Sequence, residues 1–457
     1  MKWRLSVTPF QVQMNALQAA YGKPGFGYFL EMGLGKTAVT LAEFIDLHLS
    51  NKVDGLIVIC PNSLKKNWLN EADKMGVTLG TALAWPSRMA SRPATPWLFT
   101  MNYEAVITRD GFSYLSSLLA TKRCMLVLDE STQIKNPQAK RSKTLIALSK
   151  FATYRRVLSG APITQGPQDL WAQMRFLGFL SGVNFYAYRN TFCVMGGWQG
   201  KQIVGVKNEE RLNALIKECG YRANKKDWLD LPEKIYQSRY VTHTPHQKKH
   251  YKEMVEILGT SINQKVIDVT MVLTQMQKLQ QIGSGFIIDK DGVAHPIPGT
   301  NPKLEIVQEI LEDAPGKTII FTHYTFSGAL LKSTLGVKAT FIHGGMKPGE
   351  VSACVDRFNN DPSCRVIIAQ IQSGKYGLTL LGGADEEDRC TTTIFYENSF
   401  SLDARIQAED RNHRIGQKSS VVYIDLIGSE IDELAIKALR DKKHVADVIV
   451  DGLRRSK

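Results

Sequence analysis

Short apolar runs alternate along the chain with segments whose apolar residues recur at helical spacing. In the first half, the apolar runs are residues 26–30, 55–60, 97–100, 124–128 and 154–158. A second series comprises residues 318–322, 339–343, 366–371, 393–397 and 421–427. Buried strands that alternate with helices form parallel sheets covered by helices. The pattern therefore predicts an α/β fold with two sheets of similar size.

The segment between the two series has a different character. From residue 170 to about residue 281, apolar residues mostly fall at helical spacing, and the basic pairs Lys225-Lys226 and Lys248-Lys249 interrupt them. We interpret this region as helical insertions. The first predicted domain covers residues 1–235 with an insertion from about residue 165, and the second covers residues 236–457 with an insertion at about residues 243–285. The polar segment 289–302, which contains Gly and Pro, is an alternative boundary.

The composition indicates a globular protein with a polyanionic partner. Of the 457 residues, 43% are apolar, and the 57 Lys and Arg exceed the 44 Asp and Glu by a formal charge of +13. Such an excess favours nucleic acid as the partner, and the alternative is a basic protein without one. The seven cysteines never occur in C-x-x-C spacing, which argues against a disulfide framework or a zinc site.

The apolar runs also bear on location. None approaches the length that crosses a membrane, and the first residues lack the apolar core of a signal peptide. We therefore expect a soluble protein in the cytoplasm or at the nucleoid.

Residues 31–37, Glu-Met-Gly-Leu-Gly-Lys-Thr, lie between a predicted strand and a predicted helix. Gly33 and Gly35 allow backbone N–H groups to approach phosphate oxygens, Lys36 reaches the β- and γ-phosphates, and the Thr37 hydroxyl can bind Mg²⁺. This context predicts a nucleotide-phosphate site. Leu30 stands where the complete motif has its first glycine, so a glycine turn that only caps the helix is the alternative.

A pair of acids, Asp129-Glu130, follows the apolar run 124–128. The carboxyl edge of a parallel strand is where such sheets bind ligands. Asp129 is the predicted Mg²⁺ ligand, and Glu130 is the predicted base that orients the attacking water. The alternative is an acidic pair that begins a surface turn.

These stretches occur in the order found in superfamily 2 helicases, and they resemble in particular the Swi/Snf-type ATPases. The positions that carry the resemblance are Gln11, residues 31–37, residues 129–131 (Asp-Glu-Ser), residues 158–162 (Leu-Ser-Gly-Ala-Pro) and residues 407–417 (Gln-Ala-Glu-Asp-Arg-Asn-His-Arg-Ile-Gly-Gln). The resemblance extends from Thr8 to about Val450. It implies two RecA-like lobes that use ATP and Mg²⁺, and a monomeric motor that translocates along duplex or branched DNA with little base specificity.

The resemblance also assigns roles to matching positions. Gln11 is expected to bind adenine, and Gly33, Gly35, Lys36 and Thr37 to bind the phosphates. The positions expected to couple hydrolysis to lobe movement are Ser159, Gly160, Gly374, Gly377 and Gln407. The positions expected to contact the nucleic-acid backbone are Pro61, Asn62, Lys65, Asn102, Tyr103, His323 and Gly344.

Arg411 and Arg414 are predicted to act in catalysis. They are three residues apart, so on a helix they lie on one face and can point together into a cleft. Guanidinium groups there would stabilise charge on the γ-phosphate. The alternative is a basic helix face paired with Glu409 and Asp410.

Several residues depart from the family pattern. Thr132 replaces a frequent histidine, and Lys375 and Thr379 replace the usual glycine and asparagine. The motif forms are closer to the annealing-helicase branch than to nucleosome remodellers. We expect a minimal motor without accessory domains, of bacterial or viral origin, and a viral one would act in a host cell.

Two clusters suggest other roles. His243, His246 and His250 have a spacing that could share a helical face, but no Cys or acid cluster accompanies them, so a solvated or DNA-facing helix is favoured over a metal site. A group of aromatic residues could stack on bases, although their spacing favours core packing. These are Phe176, Phe179, Phe185, Tyr186 and Tyr188.

Two other functions remain open. One is a strand-separating helicase that acts on DNA or RNA, and the other is a nucleic-acid-binding scaffold with a vestigial ATP site. The scaffold is disfavoured because the residues needed for hydrolysis are all present: Lys36, Thr37, Asp129, Glu130, Arg411 and Arg414.

Overall fold

The computed structural model describes residues 2–77, 79–85, 97–164, 166–196, 202–263, 269–372, 378–383, 385 and 388–440. The chain divides into two compact units, Met1–Asp230 and Leu231–Lys457. None of the described helices is both long enough and apolar enough to cross a membrane.

The first unit is built on a parallel sheet with strand order β3-β4-β2-β5-β6-β1-β9. Its strands are β1 (Gly25–Leu30), β2 (Gly55–Cys60), β3 (Ala82–Ala84), β4 (Leu98–Asn102), β5 (Cys124–Asp129), β6 (Tyr154–Leu158) and β9 (Gly220–Ala223). Its helices are α1 (Gln11–Ala19), α2 (Lys36–Leu49), α3 (Lys65–Lys74), α4 (Arg109–Thr121), α5 (Lys140–Leu148), α6 (Leu170–Leu177), α7 (Phe185–Phe192) and α8 (Glu209–Cys219). An antiparallel hairpin adds β7 (Cys193–Gly196) and β8 (Gln202–Val206).

The second unit contains a parallel sheet with strand order β10-β17-β16-β13-β15-β14. These strands are β10 (Lys234–Tyr240), β13 (Lys317–Thr322), β14 (Ala339–Ile342), β15 (Val366–Gln370), β16 (Cys390–Phe395) and β17 (Val421–Ile427). A hairpin adds β11 (Phe286–Ile288) and β12 (Ala294–Pro296). The helices are α9 (Pro245–Asn263), α10 (Val269–Gly283), α11 (Pro302–Asp313), α12 (Thr325–Leu335), α13 (Pro348–Asn360), α14 (Leu402–Glu409) and α15 (Glu430–Arg440).

The strands are continuous apolar runs because both faces of each sheet are buried in the core. In β2, the side chains of Ile57 and Ile59 pack into one hydrophobic cluster, while those of Leu56 and Val58 pack into another. Helices cover both faces of a parallel sheet, so both sets of alternating side chains are buried. The predicted α/β fold with two parallel sheets is confirmed.

The region interpreted as helical insertions also contains strands. β9 joins the first sheet beside β1, and β10 forms the edge of the second sheet. The strand β9 is short, and most residues of β10 are exposed, so neither produces a strong apolar run. The division after Asp230 leaves all of β10 in the second unit, whereas the predicted boundary at residues 235 and 236 falls inside this strand.

A buried ion pair joins three elements of the first unit. Arg156 on β6 donates from Nε to Glu43 Oε2 on α2 at 2.7 Å, and its Nη2 pairs with Glu43 Oε1. The hydroxyl of Tyr28 on β1 donates to Glu43 Oε2 at 2.7 Å. All three side chains are fully buried. The remaining Arg156 donors bind backbone oxygens of Lys23, Pro24 and Arg155.

We predict that Arg156→Met lowers the free energy of unfolding of the first unit by about 3–5 kcal/mol, because Glu43 is left charged and buried. Urea denaturation followed by tryptophan fluorescence measures this. All seven tryptophans precede residue 231, so the signal comes from the first unit. The double variant Glu43→Leu/Arg156→Met should lose less stability than Arg156→Met alone. An equal or larger loss in the double variant contradicts the prediction.

Candidate active site

The phosphate loop, residues 31–37, connects β1 to α2. Gly33 and Gly35 have φ angles of 92° and 79°, in the left-handed region that favours glycine. Gly35 is the N-cap of α2, so the first backbone N–H groups of that helix face the loop. Lys36 Nζ donates to the carbonyl of Leu30 at 2.9 Å and so spans the loop. Leu30 itself is the last residue of β1 and is buried in the core.

Neighbouring strands bring three predicted motifs to one edge. In the sheet β1 adjoins β6, and β6 adjoins β5. Since these strands are parallel, the phosphate loop, Ser159-Gly160 and Asp129-Glu130 all follow carboxyl ends at the same edge. A Cβ on Gly160 would lie 3.4 Å from the backbone nitrogen of Met32, so Gly160 packs closely on the start of the loop.

Asp129 is held by several hydrogen bonds. Its side chain is 7% exposed, Oδ2 accepts from Trp68 Nε1 at 2.9 Å, and Oδ1 accepts from the backbone N–H of Glu130 at 3.0 Å. Burial raises the pKa of Asp129, and the hydrogen bond from Trp68 and the charge of Lys36 oppose this rise. The opposing interactions stabilise the ionised form, which is the form that binds a metal.

Glu130 has an unusual backbone conformation. Its φ and ψ are 51° and 55°, the left-handed region that a non-glycine residue rarely adopts. Such conformations persist only where the surrounding structure imposes them, and they are frequent at functional sites. The side chain is half-buried at the end of β5.

Gln13, rather than Gln11, contacts the phosphate loop. Gln11 is exposed, and its Nε2 donates to Asn15 Oδ1 at 2.9 Å. Gln13 is 5% exposed, donates from Nε2 to the Leu34 carbonyl at 3.3 Å and accepts from the Phe10 N–H at 2.9 Å. Adenine binding by Gln11 stays a prediction. The position of Gln13 in the first turn of a helix is the feature of the sequence that could have indicated it.

The nucleic-acid positions predicted in the first unit have different environments. Pro61 and Asn62 follow β2, and Asn102 ends β4, so they share the edge that carries Asp129. Lys65 Nζ donates to the Trp85 carbonyl at 2.7 Å, and burial lowers the pKa of Lys65. Their roles stay predictions.

Tyr103 requires a correction. Its ring is 1% exposed, and its hydroxyl donates to the backbone carbonyl of Asp129 at 2.8 Å. This side chain cannot contact nucleic acid, because it is buried in the hydrophobic cluster that includes Phe99, Met101 and Leu128. Tyr103 therefore supports Asp129 instead of contacting a ligand.

In the second unit, Arg411 and Arg414 lie in a turn rather than on a helix, and their catalytic role stays a prediction. The helix α14 ends at Glu409, so the argument from a shared helical face is wrong. Both arginines lie in the following turn and donate from Nη1 to the Leu378 carbonyl at 3.4 Å, and Arg414 also donates to Thr379 Oγ1 at 2.7 Å. The turn is held by Asn412, whose Nδ2 donates to Thr393 Oγ1 at 2.9 Å.

The alternative interpretation of Arg411 and Arg414 is a basic helix face paired with Glu409 and Asp410. In the structure Glu409 binds other residues. Its Oε1 accepts from Arg405 Nε at 2.7 Å, and its Oε2 accepts from Lys234 Nζ at 2.9 Å. Burial raises the pKa of Glu409, but the charges of Lys234 and Arg405 outweigh this and lower it overall. Of the predicted coupling positions, Gln407 is half-buried on α14, whereas Gly374 and Gly377 lie outside the described residues.

The two nucleic-acid positions predicted in the second unit leave its sheet at one edge. His323 follows β13, and Gly344 follows β14. Gln370, at the end of β15 between them, accepts from the Gly344 N–H at 2.9 Å and donates to Thr325 Oγ1 at 2.7 Å. Burial lowers the pKa of His323, so this ring favours the neutral form.

The histidine cluster and the aromatic group have the following environments in the structure. His243 precedes α9 and packs against the Tyr251 ring at 5.2 Å, while His246 is exposed. Within the described ranges, no group of three or more His, Cys, Asp or Glu could hold a metal. Among the aromatic residues, Phe176 and Tyr188 are in the core, as favoured, whereas Tyr186 is 58% exposed.

Family models match most of the chain. The SNF2-related domain matches residues 28–285, which is more than half of the chain, and the helicase conserved C-terminal domain matches residues 302–416.

Curated relatives come from eukaryotes and bacteria. A Caenorhabditis elegans homolog of the SWI/SNF-related matrix-associated actin-dependent regulator of chromatin subfamily A-like protein 1 is 26% identical over 88% of this chain and 55% of its own length. Transcription regulatory protein SNF2 of Saccharomyces cerevisiae is 27% identical over 92% of this chain and 26% of its own length. An uncharacterized ATP-dependent helicase of Mycoplasma pneumoniae is 26% identical over 91% of this chain and 39% of its own length. The chain therefore spans about half or less of the length of these relatives.

Solved structures of the Sulfolobus solfataricus SWI2/SNF2 ATPase core are also similar to the chain. The core in complex with dsDNA has 26% identity and a TM-score of 0.44, and the match covers 99% of this chain and 95% of that one. A second structure, of the core domain, has 26% identity and a TM-score of 0.46, and the match covers 97% of this chain and 90% of that one.

We predict that Gly35→Ala abolishes nucleotide binding. The new Cβ would lie 2.1 Å from Gln13 Nε2, so the Gln13 side chain must leave the loop, and φ of 79° strains an alanine at this position. Gly22→Ala is the matched control, because φ there is 75° and nothing lies within 4 Å of a Cβ. Titration with a fluorescent ATP analogue should show binding to Gly22→Ala and none to Gly35→Ala. Equal affinities of the two variants would refute the role of the loop geometry.

Proposed function

Since the chain belongs to the SNF2-related family of helicase-like ATPases, we propose that it is a DNA-dependent motor that hydrolyses ATP to ADP and phosphate. The proposed track is duplex or branched DNA, along which the protein translocates without full strand separation. The observation that carries the proposal is the meeting of the phosphate loop, Ser159-Gly160 and Asp129-Glu130 at the carboxyl edge of one sheet.

The first step is binding of the triphosphate by the loop. Backbone N–H groups at the start of α2 and the Lys36 ammonium supply positive charge there. Thr37 and Asp129 would hold Mg²⁺, since a hydroxyl and a carboxylate are the oxygen ligands this ion prefers. When bound, Mg²⁺ neutralises charge on the phosphates. One carboxylate with a hydroxyl suffices, because Mg²⁺ bound to a nucleotide keeps several waters.

Hydrolysis requires a base for the attacking water. Glu130 is the proposed base: as the water oxygen bonds to the γ-phosphorus and the bond to the bridging oxygen of ADP breaks, the proton of the water passes to the carboxylate. The left-handed backbone conformation of Glu130 sets the direction in which its side chain leaves the chain directly after Asp129. Arg411 and Arg414 are proposed to stabilise the charge that develops on the γ-phosphate.

DNA as the partner is supported by the family and by charge. The formal charge of +13 favours a polyanion. Contacts to phosphates position a protein on the duplex without reading bases, which accounts for the low base specificity that we propose. The Asn62 and Asn102 segments of the first unit and the His323 and Gly344 segments of the second are the proposed contact positions. The proposed location is the cytoplasm or the nucleoid.

We predict that Lys36→Ala and Glu130→Gln each reduce DNA-stimulated ATPase activity at least about 100-fold, since each removes a group that acts on the reacting phosphate. Lys52→Ala is the control, because this exposed lysine follows the opposite end of α2. Steady-state ATPase assays use duplex, branched and single-stranded DNA and RNA at two salt concentrations. Unchanged turnover in both variants would refute the proposal.

Stimulation should fall as salt rises, because binding to phosphates releases counterions. Stimulation by RNA alone would instead indicate an RNA helicase. Displacement of a triplex-forming strand without unwinding of a fork supports translocation, and unwinding of the fork identifies a strand-separating helicase. No turnover of the unsubstituted protein under any condition would favour the scaffold.

We also predict that Trp68→Phe shifts the acidic limb of the pH–rate profile to higher pH. The hydrogen bond from Trp68 lowers the pKa of Asp129, which burial raises. Without this bond the pKa rises further, so more Asp129 is protonated at a given pH and less can bind Mg²⁺. Activity measured from pH 5 to 8 should show the shift in Trp68→Phe and none in the half-buried control Trp171→Phe. A shift to lower pH contradicts the assignment.

A further inference from the structure

The basic pair Lys225-Lys226 separates in the structure. Lys226 is exposed, whereas Lys225 is 8% exposed. A lysine is rarely buried to this extent, because removing an ammonium from water is costly unless its surroundings compensate. One side of the Lys225 side chain lies against the phosphate loop.

Pairing of β9 with β1 brings the two segments together. Leu30 lies opposite Ala223 in this parallel pair, so the residues after each strand leave the sheet at the same edge. The Glu31 N–H donates to the Ala223 carbonyl at 3.1 Å, and the Lys225 N–H donates to Glu31 Oε2 at 2.7 Å. The turn after β9 therefore runs directly beside the loop.

The side chain of Lys225 lies against Gly33. A Cβ on Gly33 would be 3.4 Å from Lys225 Cε and 3.9 Å from its Nζ. The turn that carries this lysine is ordered by its own hydrogen bonds, since the Trp228 and Leu229 N–H groups donate to the Lys225 carbonyl at 3.1 and 2.8 Å. The position of the ammonium beside the loop is thus set by the fold.

We propose that Lys225 is a second phosphate-site lysine, which adds its positive charge to that of Lys36 when the loop binds a nucleoside triphosphate. This inference rests on the proposed ATP site. The half-buried carboxylate of Glu31 stands at the start of the loop and repels phosphate. The Lys225 ammonium offsets that repulsion, so its contribution grows with the negative charge of the nucleotide.

The test compares Lys225→Met with Lys226→Met, which removes the same charge from the adjacent, exposed position. Affinities for fluorescent ATP, ADP and AMP analogues are measured with Mg²⁺ and without DNA. Lys225→Met should weaken ATP binding about tenfold, ADP binding less and AMP binding little, since a charge interaction scales with ligand charge. Lys226→Met should leave all three affinities unchanged, and Lys225→Arg should retain most of the ATP affinity.

Other outcomes overturn the proposal. Unchanged ATP affinity in Lys225→Met refutes the proposal. An equal loss of affinity for ATP, ADP and AMP together with a lower melting temperature also refutes it, because that result indicates only a structural role. Where Lys225→Met does not fold, Glu31→Gln gives an independent test: it keeps an acceptor for the Lys225 N–H and removes the repelling charge. ATP affinity should rise several-fold and AMP affinity should not change; unchanged or weaker ATP affinity contradicts the proposal.

The design separates this inference from the function on which it rests. Absence of ATP binding to the unsubstituted protein would refute the proposed ATP site and with it the role of Lys225. ATP binding that is the same in the unsubstituted protein and in Lys225→Met leaves the ATP site intact and refutes only the role of Lys225.

Discussion

The buried ion pair between Arg156 and Glu43 constrains the three elements of the first unit on which the phosphate loop and Ser159 depend. It fixes α2 against β6, and the hydroxyl of Tyr28 ties the pair to β1. The helix α2 begins at the phosphate loop, and β6 ends immediately before Ser159. A buried carboxylate and guanidinium with all donors satisfied allow little variation in position. The motifs that follow these elements are therefore placed by the core rather than by the loops themselves.

The second unit uses the same kind of interaction. Arg405 on α14 pairs with Glu409 on the same helix and with Asp425 on β17, and its guanidinium lies over the ring of Phe395 on β16. This holds α14 on the sheet just before the turn that carries Arg411 and Arg414. In each unit, buried charges position side chains that are proposed to act on phosphate.

Two conditions make a feature predictable from the sequence: a strand is buried on both faces, or the residues of a motif are continuous in the chain. The main strands and the phosphate loop meet these conditions. The edge strand β10 does not, because most of its residues are exposed. The spacing of Arg411 and Arg414 fits a helix, but tertiary hydrogen bonds of Asn412 with Thr393 and Tyr423 stabilise a turn instead. Spacing does not show the contact of Lys225 with the loop, because strand pairing brings this lysine to residues almost two hundred positions earlier. The contact of Gln13 is different, since its place in the first turn of α1 is visible in the sequence.

The order of strands also links the proposed DNA contacts to the acid that is proposed to bind Mg²⁺. Asn62 lies in the segment after β2, and Asn102 and Tyr103 lie where β4 ends. Both places are near the end of β5, because β2 adjoins both β4 and β5 in the sheet. From these segments, Trp68 on α3 donates to the Asp129 carboxylate, and Tyr103 donates to its backbone carbonyl. Thr100 Oγ1 also donates to the Lys65 carbonyl at 3.2 Å, so α3 and β4 are joined. Under the DNA contacts proposed above, movement of either segment would therefore reach a hydrogen-bond donor of Asp129. The hydrogen bonds to Asp129 therefore offer the proposed stimulation of hydrolysis by DNA a route through residues of the first unit.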